Sequence, residues 1–427
     1  MFSETLTEAI GWRRALHRCP QPAWLEFYAT AFIAEKLSGW GYRLQMGREI
    51  IDESRQQLLP SAEKLAAEMD RAVAAGAKPE FLRQAVGGFT GVVATLEGKN
   101  PGPTVAFRFD IDSNEVNESA DPAHRPAMEG FASTNPGCAH MCGHDVHAAT
   151  GLLVAKYFSE HKDEIKGTVK FIFQPNEENL SGATAMLAKG VVDDVDILLG
   201  GHVGLALRQL GQICFNVNGF LALSRYEVTF RGRPTHAALR PDEGKNAMLG
   251  ACTAINNLYA IARHGLGASR INVGTLTAGT TWNVIPDYAH FRLETRGVTN
   301  EINQYMTAKA MEVIHGAAAM YGLEVEIKPA AVAFNATNSP GLVAKAAALA
   351  AELPAVTEIV PSADFGASED VTLLMERVQS RGGQALFALF GTPTAGGHHN
   401  AAFDIDETVI GNAAEFLVKM HEAVTAG

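Results

Sequence analysis

The densest concentration of reactive side chains is residues 138–147, CAHMCGHDVH, where ten positions carry two thiols, three imidazoles and one carboxylate. Thiolate, neutral imidazole and carboxylate are the donors that borderline divalent cations such as zinc prefer. The window therefore reads as part of a metal site. A zinc knuckle fits poorly, because no second cysteine pair follows Cys138 and Cys142 at zinc-finger spacing. A disulfide fits no better. Five cysteines in 427 residues, behind a start without a secretory pattern, point to a reducing compartment.

Other candidates follow apolar runs elsewhere in the chain. Asp110 follows TVAFRF, Glu177 and Glu178 follow VKFIFQP, His202 follows VDILLGG, and His398 and His399 follow LFALFGTPTAGG. Each run reads as a buried strand, and in parallel α/β sheets ligands bind beyond the carboxyl ends of the strands. Residues distant in sequence are thus expected to meet at one edge. Cys142, His144, Glu178, His202 and His399 give five side-chain ligands. That is more than one tetrahedral zinc takes, and with one bridging it suits two divalent ions roughly 3.5–4 Å apart. Thiolate favours zinc, while carboxylate and imidazole also admit manganese. Glu177 is then free to act as a general base, taking a proton from water and returning it to a leaving amine. Asp145 and His147 are spare. Asp145 reads as a supporting or helix N-terminal residue, and His147 as the start of the next helix.

The elements that must position these residues follow from periodicity. Residues 5–42 read as helix ending at Gly39 and Gly41, and residues 50–85 as a polar helical insertion punctuated by Pro60 and Gly76. The runs GVVATLEG, TVAFRFD, TVKFIFQ, VDILLGGHVG and QALFALFG read as strands. Between and after them, HAATGLLVAKYFSEH, SGATAMLAKGVV, GLVAKAAALAAEL and TVIGNAAEFLVKMHEAV read as helices. The alternation predicts an α/β fold, a mostly parallel central sheet flanked by helices. From residue 218 the texture changes to a β-α-β-β-α-β order, the pattern of a ferredoxin-like α+β domain. The predicted organisation is a catalytic metal-binding domain, 1–217 and 333–427, carrying an inserted satellite domain, 218–332.

Composition bounds the partners. With 47% hydrophobic and 19% charged residues the chain is an ordinary globular protein, long enough for two domains. A formal net charge of −12 argues against nucleic acid, which needs a basic surface. No run reaches the ~18 apolar residues of a membrane span, so membrane association is not expected and a cytoplasmic location is.

Several motifs carry a family resemblance over nearly the whole chain: WRRALHRCPQPAWLEF, GREIIDES, GGFTGVVATLEG, RFDID, HMCGHDVH, FIFQPNEE, GVVDDVD, RPTHAALRPDEGKNA, NVIPDYAHFRLETRG, ASEDVTLLM and GHHNAAFDID. With these the sequence resembles the amidohydrolase branch of the aminoacylase/carboxypeptidase metallopeptidases. The insertion at 50–85 and GREIIDES are similar to the type that cleaves p-aminobenzoyl-glutamate. The resemblance implies two divalent ions, Zn or Mn, with Cys142 bridging and His144, Glu178, His202 and His399 completing the ligands. It implies Glu177 as general base and Asp110 as a residue orienting a ligand. His236, on the inserted domain, would stabilise the oxyanion across a homodimer interface, and Asn283 and Arg296 would hold the substrate carboxylate. The implied substrate is a small anionic N-acyl-glutamate, and a hetero-oligomer with a homologous B subunit is a further implied partner. A general N-acyl-amino-acid amidohydrolase or aminoacyl dipeptidase is the alternative enzyme. A metal-binding regulatory subunit is the alternative without turnover. The chain departs from the usual pattern at Val146, Asn176 and the DIDSN stretch, which bears on pocket shape and keeps every implied ligand.

Overall fold

Strands of the central sheet are apolar on both faces, and Phe107, Phe171, Phe173 and Phe387 are fully buried in them. Such strands are stable only inside a sheet covered by helices. In the computed structural model, which describes every residue except Ser3 and Gly427, four of them lie side by side and parallel. Their order is Lys166–Gln174, Asn100–Asp110, Ile197–Val203 and Gln384–Phe390. Val92–Glu97 and Arg43–Met46 extend one side antiparallel. On the other side Gln212–Cys214 pairs antiparallel with Gln384–Phe390, and Glu358–Ile359 pairs parallel with Gln212–Cys214. These last two strands are short and carry no periodic signal.

The helix His144–Glu160 lies on this sheet between Leu6–Arg18 and Thr408–Thr425. Its close approach depends on Gly151, where a Cβ would sit 2.6 Å from Phe109 and 2.7 Å from Phe173. The single helix expected over 5–42 is two, Leu6–Arg18 and Phe27–Gly39. Pro20 and Pro22 lie in the break, where neither can continue the backbone ladder. The insertion forms helices Ala62–Ala74 and Pro79–Ala85, the first capped by Ser61.

The chain divides into two compact units. The first is Met1–Asn218, Ala336–Phe365 and Asp370–Gly427; the second is Gly219–Asn335 with Gly366–Glu369. The expected boundaries, 218 and 332, lie within three residues of these, and the short return at 366–369 was not anticipated. In the second unit the strand order is Glu324–Ala333, Ala222–Arg231, Tyr288–Gly297, Ser269–Ala278, all antiparallel. Helices Ala247–Tyr259 and Asn300–Met320 pack on it, with Val228, Phe230, Phe291 and Ile314 in the core. That is the strand order of a ferredoxin-like sandwich.

Candidate metal centre

The carboxyl ends of the parallel strands bring the ligating residues together. Glu177 and Glu178 follow Lys166–Gln174, and His202 occupies the last turn of Ile197–Val203, inside the strand and not beyond it. Cys142 and His144 flank Gly143, whose φ of 90° makes the turn into the helix; a Cβ there would lie 2.8 Å from Val203. Asn114 fixes the stretch before it, exchanging backbone hydrogen bonds with Ala139 and accepting the Met141 N–H at Oδ1 (2.9 Å). The Met141 carbonyl in turn accepts the His399 N–H at 2.7 Å. A loop more than 250 residues away in sequence is thereby pinned next to Cys142.

Five sets of ligating atoms result among the described residues: Cys142, His144 and His202; Cys142, Glu178 and His399; His144, Glu177 and Glu178; Asp110, His144 and His147; and Glu177, Glu369 and Asp370. Within each set the atoms lie within 4.8 Å of one another; His144 belongs to three sets, and Cys142, Glu177 and Glu178 to two each. His202 donates Nδ1–H to the Val203 carbonyl (2.8 Å), which turns Nε2 toward the Cys142 Sγ at 3.4 Å. His399 Nε2 lies 3.3 Å from Glu178 Oε2, and His144 Nε2 lies 3.8 Å from both Glu177 Oε2 and Glu178 Oε1.

The donor set fits a divalent cation. His144 Nε2 and Glu178 Oε1 are buried and have no hydrogen-bond partner. A buried polar atom left unpaired is costly unless something else meets it. The electrostatics agree. Burial alone would push the His144 imidazole down, but Asp110 and Cys142 hold its protonated form well above the ordinary value. Cys142 and Glu178 raise His399 to about 10 against its burial. A field that keeps protons on two imidazoles is one that attracts a cation in their place. His202 is pushed well below its ordinary value by burial and by His147 and His398, so it is a neutral donor.

Backbone strain gathers here. His399 (φ 62°), Asn176 (φ 52°), Trp24 (φ 61°) and Leu58 (φ 55°) are non-glycine residues in the left-handed region, each costing about 1–3 kcal/mol. Asn176 immediately precedes Glu177, Leu58 lines a cavity of about 380 Å³ whose lining includes Glu178 and His399, and Trp24 lies between two of its lining residues, Ala23 and Leu25.

Not every expected residue joins the cluster. Asp110, expected to orient a ligand, stands 3.8 Å from His144 Nε2, accepts His147 Nδ1–H (2.5 Å) and pairs with Arg108 (2.7 Å). His147 also accepts the Val203 N–H at Nε2 (3.1 Å), so both ring nitrogens are occupied. Asp145 caps Val146 and pairs with Arg13 (2.6 Å) and His17 (2.9 Å), away from the ligands. His236, Asn283 and Arg296 all lie in the second unit. His236 is exposed and accepts the Ala238 and Leu239 N–H groups at Nδ1 (both 3.2 Å), which leaves its hydrogen on Nε2. Asn283 is exposed, its carbonyl accepting the Ala237 N–H. Arg296 Nε pairs with Glu294 Oε1 at 2.5 Å.

Two supporting residues were missed. Asp112, fully buried, accepts His144 Nδ1–H at Oδ1 (3.0 Å) and the Glu178 N–H at Oδ2 (3.0 Å), so one carboxylate aligns two ligands. The second Asp of RFDID was its only signal. Glu26 accepts the N–H groups of Trp24 (3.1 Å) and Asn176 (2.8 Å) and the Thr90 hydroxyl (2.6 Å). Burial, then the charge of Asp112, pushes its carboxyl up to about 8. Nothing local in the sequence marks it.

A parallel sheet whose strand ends gather thiolate, imidazole and carboxylate beside Glu177 defines a metal-dependent hydrolase. The model of peptidase family M20/M25/M40 matches residues 106–423, and the chain belongs to that family. It is similar to indole-3-acetyl-aspartic acid hydrolase of Enterobacter agglomerans, 44% identical over 97% of this chain and 95% of that one. It is also similar to the A subunit of p-aminobenzoyl-glutamate hydrolase from Escherichia coli (strain K12), 42% identical over 96% and 94%. Among solved structures it matches the aminobenzoyl-glutamate utilization protein from Klebsiella pneumoniae at TM-score 0.83 and 37% identity, over 98% and 95% of the chains. It matches the Bacillus subtilis YXEP protein, a dinuclear metal binding peptidase, at TM-score 0.68 and 25% identity, over 99% and 98%. The chain is a metal-dependent hydrolase of amide bonds that uses divalent metal.

Proposed function

We propose that this chain hydrolyses N-acyl amino acids of the aroyl-glutamate class, p-aminobenzoyl-glutamate foremost, giving p-aminobenzoate and glutamate. The observation that carries the reading is the pair of ligating sets sharing Cys142, with Glu177 beside them in a third set. Two divalent ions, zinc or manganese, would be held by Cys142 as the common ligand, His144 and His202 on one side, and Glu178 and His399 on the other. Bound there, such ions supply Lewis-acid polarisation and make water a stronger acid at neutral pH.

The chain's own residues do the rest. Glu177 accepts the proton of the attacking water and delivers it to the departing amide nitrogen, so one carboxylate serves both halves of the reaction. Asp112 holds His144 in one tautomer and Glu178 in one position, as a supporting carboxylate does for a ligand. Asp110 acts one step further out, through His147 and the Val203 N–H. His236, with its hydrogen on Nε2, is a donor for the developing oxyanion. Arg296 keeps its terminal N–H groups outside its pair with Glu294 and, with Asn283, would grip a substrate carboxylate. The second unit would serve as the dimerisation domain, and His236 would act on the partner's site. A homologous B subunit is a further partner, in keeping with the name of the Escherichia coli relative.

Among the described residues no helix is long and apolar enough to cross a membrane, and we place the enzyme in the cytoplasm. The relative at 44% identity favours indole-3-acetyl-aspartate as the second substrate reading. Assay of zinc- and manganese-loaded protein on p-aminobenzoyl-glutamate, indole-3-acetyl-aspartate and benzoyl-glycine separates them. The highest kcat/KM is expected for the first. Preference for the second moves the substrate to that class, and no turnover of any supports a purely regulatory role. Mixing His236→Ala and Glu177→Ala protomers should restore activity; none after proven exchange of protomers would remove the shared site.

A further inference from the structure

The cavity beside the ligating cluster has a polar side, with Lys64, Ser113, Asn114 and Glu115, and an apolar side drawn from two separate stretches. Pro22 and Leu25 come from the break between the first two helices, and Leu58 and Pro60 from the insertion. The insertion belongs to neither sheet, and no role has yet been given to it. At about 380 Å³ the cavity lies within the ~300–1,000 Å³ of small-molecule sites.

The two stretches are stitched to each other. Trp24 donates its indole N–H to the Gln57 carbonyl at 2.7 Å, and Gln56 donates from Nε2 to the Gly88 carbonyl at 2.7 Å. A Cβ on Gly88 would sit 2.9 Å from Leu59 and 3.0 Å from the Trp24 carbonyl, so these segments close on one another tightly. Each stretch also holds a bulky residue in the left-handed region, Trp24 (φ 61°) and Leu58 (φ 55°). Large side chains keep that conformation only where their surroundings over-determine it, and such positions concentrate at ligand clamps. Glu26 extends the connection to the chemistry. It accepts the Trp24 and Asn176 N–H groups, so the apolar stretch and the turn presenting Glu177 share one buried carboxylate.

The geometry points to Leu58 as a specificity-determining residue: with Pro60, and backed by the buried Leu25, it forms an apolar wall that receives an aryl acyl group while the amide lies at Glu178 and His399. The inference rests on the amide-hydrolase reading of the cluster and adds the residues that choose the acyl half. Leu58 is 36% exposed, so apolar area remains for a ring to cover. An acetyl group has far less apolar surface to lay against such a wall than a flat ring has. Apolar pocket contacts discriminate substrates by roughly 10–200-fold.

The test compares kcat and KM of metal-loaded wild type, Leu58→Ala and Trp24→Phe on p-aminobenzoyl-glutamate, benzoyl-glutamate and acetyl-glutamate, with metal content measured in each. Leu58→Ala should lower kcat/KM for both aryl substrates about 10-fold more than for acetyl-glutamate, mainly through KM. Trp24→Phe, which removes the N–H that anchors Gln57 together with part of a buried ring, should shift the ratio in the same direction by less. Wild type that cuts the aryl conjugates, with an unchanged aryl-to-acetyl ratio in Leu58→Ala, overturns the wall alone. Wild type that cuts neither aryl conjugate overturns the wall together with the proposed substrate class.

Discussion

His144 and Asp145 are adjacent in sequence and fully buried, yet they face two clusters of charge that are satisfied in opposite ways. Behind the metal centre, Asp145 pairs with Arg13 and His17. Arg13 also meets Asp404 (2.9 Å) and Glu407 (3.2 Å), and His17 reaches Glu118 (2.9 Å), which also pairs with His124 (3.0 Å). Here the chain supplies its own cation. Burial would raise the Asp145 carboxyl, but Arg13 and His17 hold it far below the usual range. Around His144 the chain supplies donors and no cation, and leaves His144 Nε2 and Glu178 Oε1 without partners. Equal richness in His, Asp and Glu therefore does not make equal sites. The cluster that balances itself is structural, and the one that does not awaits a ligand.

Removing Glu177 should have the largest effect, and only on chemistry. Glu177→Gln is expected to lower kcat by ~10²–10⁴ while zinc content stays that of wild type; metal lost in parallel would make Glu177 a ligand instead of the base. Next is Arg13→Met, which leaves the buried Asp145 with His17 alone, while Asp404 and Glu407 keep Arg125 and Arg14. A loss of about 3–5 kcal/mol in urea unfolding is expected, equal with and without metal. A loss seen only in metal-loaded protein would merge the two clusters into one. Asp112→Asn should weaken metal binding by ~10–100-fold in calorimetric titration with little change in metal-free stability. The smallest effect concerns His421, which packs against Phe158 and Phe107 and is pushed down to about 4 by burial. Its imidazole is neutral in the fold, and between pH ~6.5 and ~4 the unfolded chain binds the extra proton. Stability is therefore lost as pH falls through that window, by about 1.4 kcal/mol at pH 5.5 for this group. His421→Phe should flatten the fall of melting temperature there, and an unchanged slope would assign it to other groups.

How much of this could be read from the sequence depended on whether the signal was local. The apolar runs before Asp110, Glu177 and the GGHH loop made the parallel sheet legible, because burial on both faces leaves a continuous imprint. Glu178 and His202 were expected as ligands because they stand at the ends of such runs, and Cys142 and His144 because the window 138–147 is dense in donors. That Asp110 works through His147 was not legible, because that pairing is chosen by the packing of a helix on the sheet. Glu26 and the Arg13–Asp145 pair left no imprint at all. Their contacts join positions 150 and 132 apart in sequence, and no periodicity links them. The helix break at Pro20 and Pro22 was visible in principle, and an apolar pattern running through it concealed two helices as one.

The most direct test is anomalous diffraction from crystals of zinc-loaded protein. Two peaks are expected, one among Cys142, His144 and His202 and one among Cys142, Glu178 and His399, with none in the Arg13–Asp145 network. Zinc bound at Asp110 and His147, or absent from both sets that share Cys142, would contradict the assignment of the site.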